Sequence, residues 1–199
     1  HILIFERRGW VDRLVFTMAL AVPLAAGVAF RVTPLYYAAA DLMLEGAFLA
    51  GLIAGPYTGA LVGLLVSLPA LINGEFIALP FAVGCGFAGG GLGEACPTKE
   101  TIWRFTPFVI LDLPKHLFNV LRNREPLWQI ILLLAPVALE LLRQFLGDRF
   151  NHPDDDITRL FYLAPPRPLM LILVVLATVL AVAFPIKIWN SARIEHRLQ

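Results

Sequence analysis

Residues 41–93 read DLMLEGAFLAGLIAGPYTGALVGLLVSLPALINGEFIALPFAVGCGFAGGGLG, and their reading decides the fold class. The stretch holds no Lys or Arg and carries a Gly at nearly every helical turn. Its apolar length suffices for two to three passes through a bilayer at roughly 20 residues each. It therefore reads as the core of a helical membrane bundle.

Gly46, Gly51, Gly55, Gly59 and Gly63 follow one another at four- or five-residue spacing, and Gly84, Gly86, Gly89, Gly90, Gly91 and Gly93 continue the theme. In lipid, apolar contact with a neighbouring helix gains little over contact with acyl chains. Close backbone approach at small residues is then what holds helices together. These glycines either pack helices or line a cavity where a ligand meets backbone. Asp41 and Glu45 lie one turn apart on the first helix of the stretch and face the same way. Acidic groups within a span are rare and face a bundle interior, a partner or water. They are the sharpest pointer to function.

The remainder of the composition agrees. Of 199 residues, 58% are hydrophobic and 16% charged, with a mean hydropathy of +0.74. Soluble domains carry about 25% charged residues, so the deficit indicates a polytopic membrane protein. A net charge of +1 argues against nucleic acid as a partner. Cys85 and Cys96 are too few for a disulfide framework and lack zinc-ligand spacing. The chain opens on His1 without a signal-peptide pattern, and SARIEHRLQ stops within a helical pattern. A piece trimmed at both ends is expected.

Outward from the core, residues 1–13 read as a juxtamembrane helix, and a first span covers about residues 14–30, with Pro23 as a kink. A second covers about 35–54, and Gly55-Pro56 forms a turn opening a third over about 57–72, which Pro69 interrupts near its end. Asn73, Gly74 and Glu75 make the next turn, and a fourth span follows over about 76–92. Between residues 94 and 126, five Lys or Arg alternate with Trp103, Phe105, Phe108, Leu117 and other apolar residues, as in an amphipathic interfacial segment. A fifth span over about 127–146 contains Glu140 and Arg143, three residues apart on one face, and reads as an intrahelical ion pair. The Asp154, Asp155, Asp156 run lacks the alternating spacing of a calcium loop and reads as solvated. A sixth span covers about 169–186, and residues 187–199 leave it as a charged helix with no breaker, as a coiled coil would.

The expected architecture is thus an all-α polytopic bundle of about six transmembrane helices, residues 1–186, followed by the start of a signalling helix, residues 187–199. On this topology eleven Lys or Arg fall on the side of both termini and four on the other, with Arg143 inside a span. The positive-inside rule then places both ends in the cytoplasm and the acidic loop outside.

No phosphate-cradling loop, nucleophile elbow or metalloprotease motif is present. The four histidines fall at span edges, which weighs against a haem or pigment site. No catalytic residue, metal or cofactor is expected.

One family does resemble this chain. Residues 49–76 are similar to the signature of the five-transmembrane sensor region of LytS-type histidine kinases, with Gly51, Leu52, Gly55, Pro56, Gly59, Gly63 and a turn at Gly74 on the matching positions. LIFERRG at residues 3–9 resembles a stretch near the start of such sensors. ALELLRQFL at 138–146 resembles their Met-Glu-Met-x-Gln helix, and NSARIEHRLQ resembles their linker to the phosphoacceptor domain. The resemblance implies a homodimeric bacterial inner-membrane sensor of a two-component system, acting on a response regulator through a kinase domain beyond Gln199. Carboxylate-binding members carry an Asn-x-Arg motif and a second Arg, where this chain has Asp41, Met43 and Ala70. An anion is therefore not the expected ligand; a cation, an amine, or a neutral molecule hydrogen-bonded by protonated acids is. Asp41, Glu45, Asn73, Glu75, Glu140 and Arg143 are the candidate ligand-binding residues. Two other readings stay open: an accessory structural subunit of a larger membrane complex, and a substrate-binding subunit of a transporter that docks an ATPase.

Overall fold

Gly55 is where the fold is set. Its backbone adopts φ 97° and ψ 167°, a region that L side chains rarely enter, and this single residue ends one helix while Pro56 opens the next. In the computed structural model, which describes residues 10–32, 42–97, 102, 122, 127–150 and 168–198, the described residues build six α-helices. They are α1 (Trp10–Val32), α2 (Met43–Ala54), α3 (Pro56–Ile72), α4 (Ala78–Ala95), α5 (Trp128–Phe150) and α6 (Pro168–Leu198).

Gly55 reverses the chain sharply, so that α3 runs back along α2 with Gly59 packed against Gly51. Gly74, at φ 93°, serves the α3–α4 turn in the same way. Helix α4 then returns parallel to α2, because Phe48 lies beside Gly89 while Leu52, one turn on, lies beside Gly93. At their glycines the three helices meet backbone to backbone. A Cβ on Gly51 would lie 2.7 Å from the backbone nitrogen of Gly90, and one on Gly59 would lie 2.6 Å from the carbonyl oxygen of Gly86. Only hydrogen at Cα admits that approach.

Helix α2 is the hub. All ten residues from Met43 to Leu52 are buried, which suits a helix apolar nearly all round. On one side it joins a cluster with Phe16, Val28, Val62, Val66, Phe81 and Cys85 from α1, α3 and α4. On the other, Phe48, Leu49 and Leu52 pack with Leu132 and Leu133 of α5 and Val179, Val182 and Ile186 of α6. The outward surface is apolar as well: Val11, Phe30, Tyr57, Ile72, Phe145, Ile172 and Ile188 are all exposed. Hydroxyls inside the helices are satisfied locally, Thr17 donating to the Arg13 carbonyl at 2.7 Å and Ser67 to that of Leu64 at 2.9 Å.

A helix stands at each of the six expected places, but spanning length is more restricted than expected. Among the described residues, two segments, Val11–Phe30 and Trp128–Leu146, are long and apolar enough to cross a bilayer; Met43–Ala54, Pro56–Ile72 and Ile172–Ile188 are shorter apolar helices. Twelve residues of helix rise only about 18 Å against a hydrocarbon core of about 30 Å. The expectation of about six spans is corrected accordingly. The physical reason lies in the Gly55 turn, which stops α2 early, while residues 33–41, the front of the expected second span, lie outside the described residues. Pro69 does not interrupt α3, which continues to Ile72. Helix α4 extends to Ala95, so the interfacial segment expected over 94–126 loses its first residues to α4. Beyond residue 97, only Ile102 and Arg122 of that segment are described.

Candidate functional site

The site grows from Glu45, the single charged residue on α2. It sits in the first turn of α2, within the buried run Met43–Leu52, and the residue is 6% exposed. From α6 the Thr178 side chain hydrogen-bonds to it, and from α5 the charges of Arg143 and Glu140 act on it.

Glu140 and Arg143 are held by helical spacing. The Arg143 guanidinium donates from Nη2 to Glu140 Oε1 at 2.9 Å, an i,i+3 ion pair. One residue on, Gln144 Nε2 donates to the same oxygen at 3.0 Å. Glu140 is fully buried, and Arg143, Gln144 and Thr178 are buried beside it. Three oxygens of this group, Glu45 Oε2, Glu140 Oε2 and Gln144 Oε1, are buried and accept no hydrogen bond. Cys85 of α4 is buried close by, in the core cluster against which Leu139 and Leu146 of α5 pack.

The arrangement is a junction of α2, α4, α5 and α6 in which two carboxyls face one guanidinium. It offers charge and oxygen ligands. Among the described residues no group of three His, Cys, Asp or Glu is disposed to hold a metal ion.

The other expected site residues lie elsewhere. Asp41 falls outside the described residues. Asn73 is exposed and caps the end of α3, its Nδ2 donating to the Pro69 carbonyl at 2.8 Å. Glu75 is buried in the α3–α4 turn, where its backbone nitrogen donates to the Ala70 carbonyl at 3.0 Å. The structure brings Glu45 together with Glu140 and Arg143, and it places Asn73 and Glu75 at the turn rather than in that hydrogen-bonded group. Gly51, Gly59 and Gly63 are helix-contact positions, and Gly55, Pro56 and Gly74 make the two turns.

Sequence reading missed three members: Gln144 as a ligand of Glu140, Thr178 and Cys85. Gln144 could have been found, because it lies four residues after Glu140 and so shares its helix face. Thr178 carried a weaker signal, as an isolated hydroxyl in the apolar run of α6.

Comparison of the chain with protein-family models, with curated proteins and with solved structures finds no match in any of the three.

Proposed function

We propose that this chain is the membrane sensor portion of a LytS-like histidine kinase, seated in the bacterial inner membrane with both ends in the cytoplasm. It passes a binding or envelope signal to a kinase domain beyond Gln199 and from there to a response regulator. The sensor works as a homodimer of bundles, each with further spans besides the two that meet the length requirement. The motif resemblance around Gly51–Gly63 and the Lys and Arg distribution support this reading.

The observation that carries it is the path from site to exit. Thr178 of α6 touches Glu45 inside the bundle, and the same helix runs unbroken to Leu198, twenty residues further on. A change in charge at Glu45 thus bears directly on the helix that leaves the membrane. A helix is stiff along its axis, so a shift of α6 at Thr178 is delivered at its far end.

The test uses the native polypeptide in membranes. Peptide sequencing beyond Gln199 should find a phosphoacceptor His segment, and autophosphorylation should differ between the wild type and Glu45→Gln. A natural chain ending near Gln199 that copurifies with an ATPase or a larger complex would overturn the reading.

A further inference from the structure

Charge counting in the buried junction leaves a deficit. Glu45 and Glu140 carry two carboxyls, and Arg143 supplies one guanidinium. No other described element packed there settles the balance. Helix α3 has no ionisable side chain but Tyr57, which is exposed, and α4 carries the buried Cys85 and the exposed Glu94. Helix α6 presents the neutral Thr178, and its Lys187 is exposed. On helix α1, Asp12 and Arg13 lie outside the buried core. An isolated ionised group removed from water costs several kcal/mol or more, so such a group is paired, coordinated or neutralised.

Buried oxygens without a hydrogen-bond donor are present on both α2 and α5. Glu45 Oε2, Glu140 Oε2 and Gln144 Oε1 are buried acceptors that receive nothing, and Gln144 is aligned by its own amide nitrogen, which is spent on Glu140 Oε1. The Thr178 hydroxyl adds a fourth oxygen at Glu45. Carboxylate, amide carbonyl and hydroxyl oxygens are the ligands that small hard cations take.

We propose that the Glu45, Glu140 and Gln144 cluster is a binding site for one small monovalent cation, the unit positive charge being supplied by sodium or by a proton. The site stands on burial and charge count; only its link to signalling rests on the sensor reading. Arg143 holds Glu140 in place, and Glu45 is the carboxyl whose charge the cation cancels. Occupancy then sets whether the α2–α5–α6 junction is neutral or carries one negative charge, and the hydrogen bond that the Thr178 hydroxyl donates to Glu45 passes that difference to α6.

The test is made on the full protein in lipid nanodiscs, with sodium chloride exchanged for choline chloride at constant ionic strength. If sodium is the occupant, the melting temperature climbs with the logarithm of sodium concentration in the wild type, climbs less in Thr178→Val, and stays flat in Glu45→Gln. If the proton is, melting ignores sodium, and the infrared spectrum shows a protonated-carboxyl band that Glu45→Gln removes. Wild-type protein with neither signal overturns the site, whether or not the variants fold. These readings report occupancy and not kinase output, so their failure leaves the sensor reading standing.

Discussion

Two regions of this bundle are held together by opposite means. Helices α2, α3 and α4 meet backbone to backbone at Gly51, Gly59, Gly63, Gly86, Gly89 and Gly90, with small and apolar side chains packed beside those contacts. Helices α5 and α6 reach α2 through long side chains, Leu132, Leu133, Val179 and Ile186, and through the polar junction at Glu45. Backbone contacts have no rotamers to exchange, so the first region has one arrangement. Side-chain contacts around a buried charge have at least two, according to whether that charge is cancelled. The contrast teaches where rigidity and response are divided: the glycine unit is the frame, and α6 is the part able to move.

The largest effect should come from Gly51→Leu or Gly86→Leu. Overfilling a packed core costs about 1–3 kcal/mol and sometimes more, and here the obstruction is backbone that cannot swing away. Loss of the monodisperse peak in detergent size exclusion is the expected outcome. Gly84→Leu is the control, since a Cβ there meets nothing within 4 Å; equal damage at Gly84 would remove the frame from the comparison.

Next in size is Arg143→Leu, which strands Glu140 and Glu45 without their cation and should cost about 3–5 kcal/mol in thermal or denaturant unfolding. The double change Arg143→Leu with Glu140→Met should recover most of that loss, because an apolar pair of similar volume replaces the ion pair. Failure of the double change to recover would mean that Arg143 serves something other than Glu140.

In choline chloride without sodium, Glu45→Gln should change stability little, from neutral to about 1 kcal/mol stabilising, because it removes a buried charge at constant shape. Its effect should be read in autophosphorylation instead. A clear drop in melting temperature would sink the view that the junction carries excess negative charge.

The smallest change is Gly84→Ala or Gly27→Ala, at positions where a methyl meets open space. Each should raise stability by at most about 0.5–1 kcal/mol, through helix propensity alone. A loss at either would show a contact with lipid or a partner chain.

Much of the frame was legible before the structure. Glycine spacing announces close helix contact, and Gly55-Pro56 and Gly74 announce turns, because the physics at those places is local. The starts of α5 and α6 were legible for the same reason, each falling within a residue of where the hydropathy pattern changes. Span length was less so, since how far a helix must reach depends on what covers it, and α2 is covered on all sides. The site was half legible. Glu45, Glu140 and Arg143 stand out as charges in apolar runs, but nothing in the order of residues says that α2 and α5 meet there. Thr178 becomes meaningful only through that meeting.

The division between frame and moving helix is tested most directly by double electron–electron resonance in nanodiscs, with spin labels replacing exposed side chains in a protein lacking Cys85 and Cys96. One pair, at Ile72 and Phe87, spans α3 and α4; the other, at Ile72 and Ile188, spans α3 and α6. Between protein with Glu45 and protein with Glu45→Gln, the Ile72–Phe87 distance should stay fixed and the Ile72–Ile188 distance should shift. Equal shifts in both pairs, or no shift in either, would contradict the account.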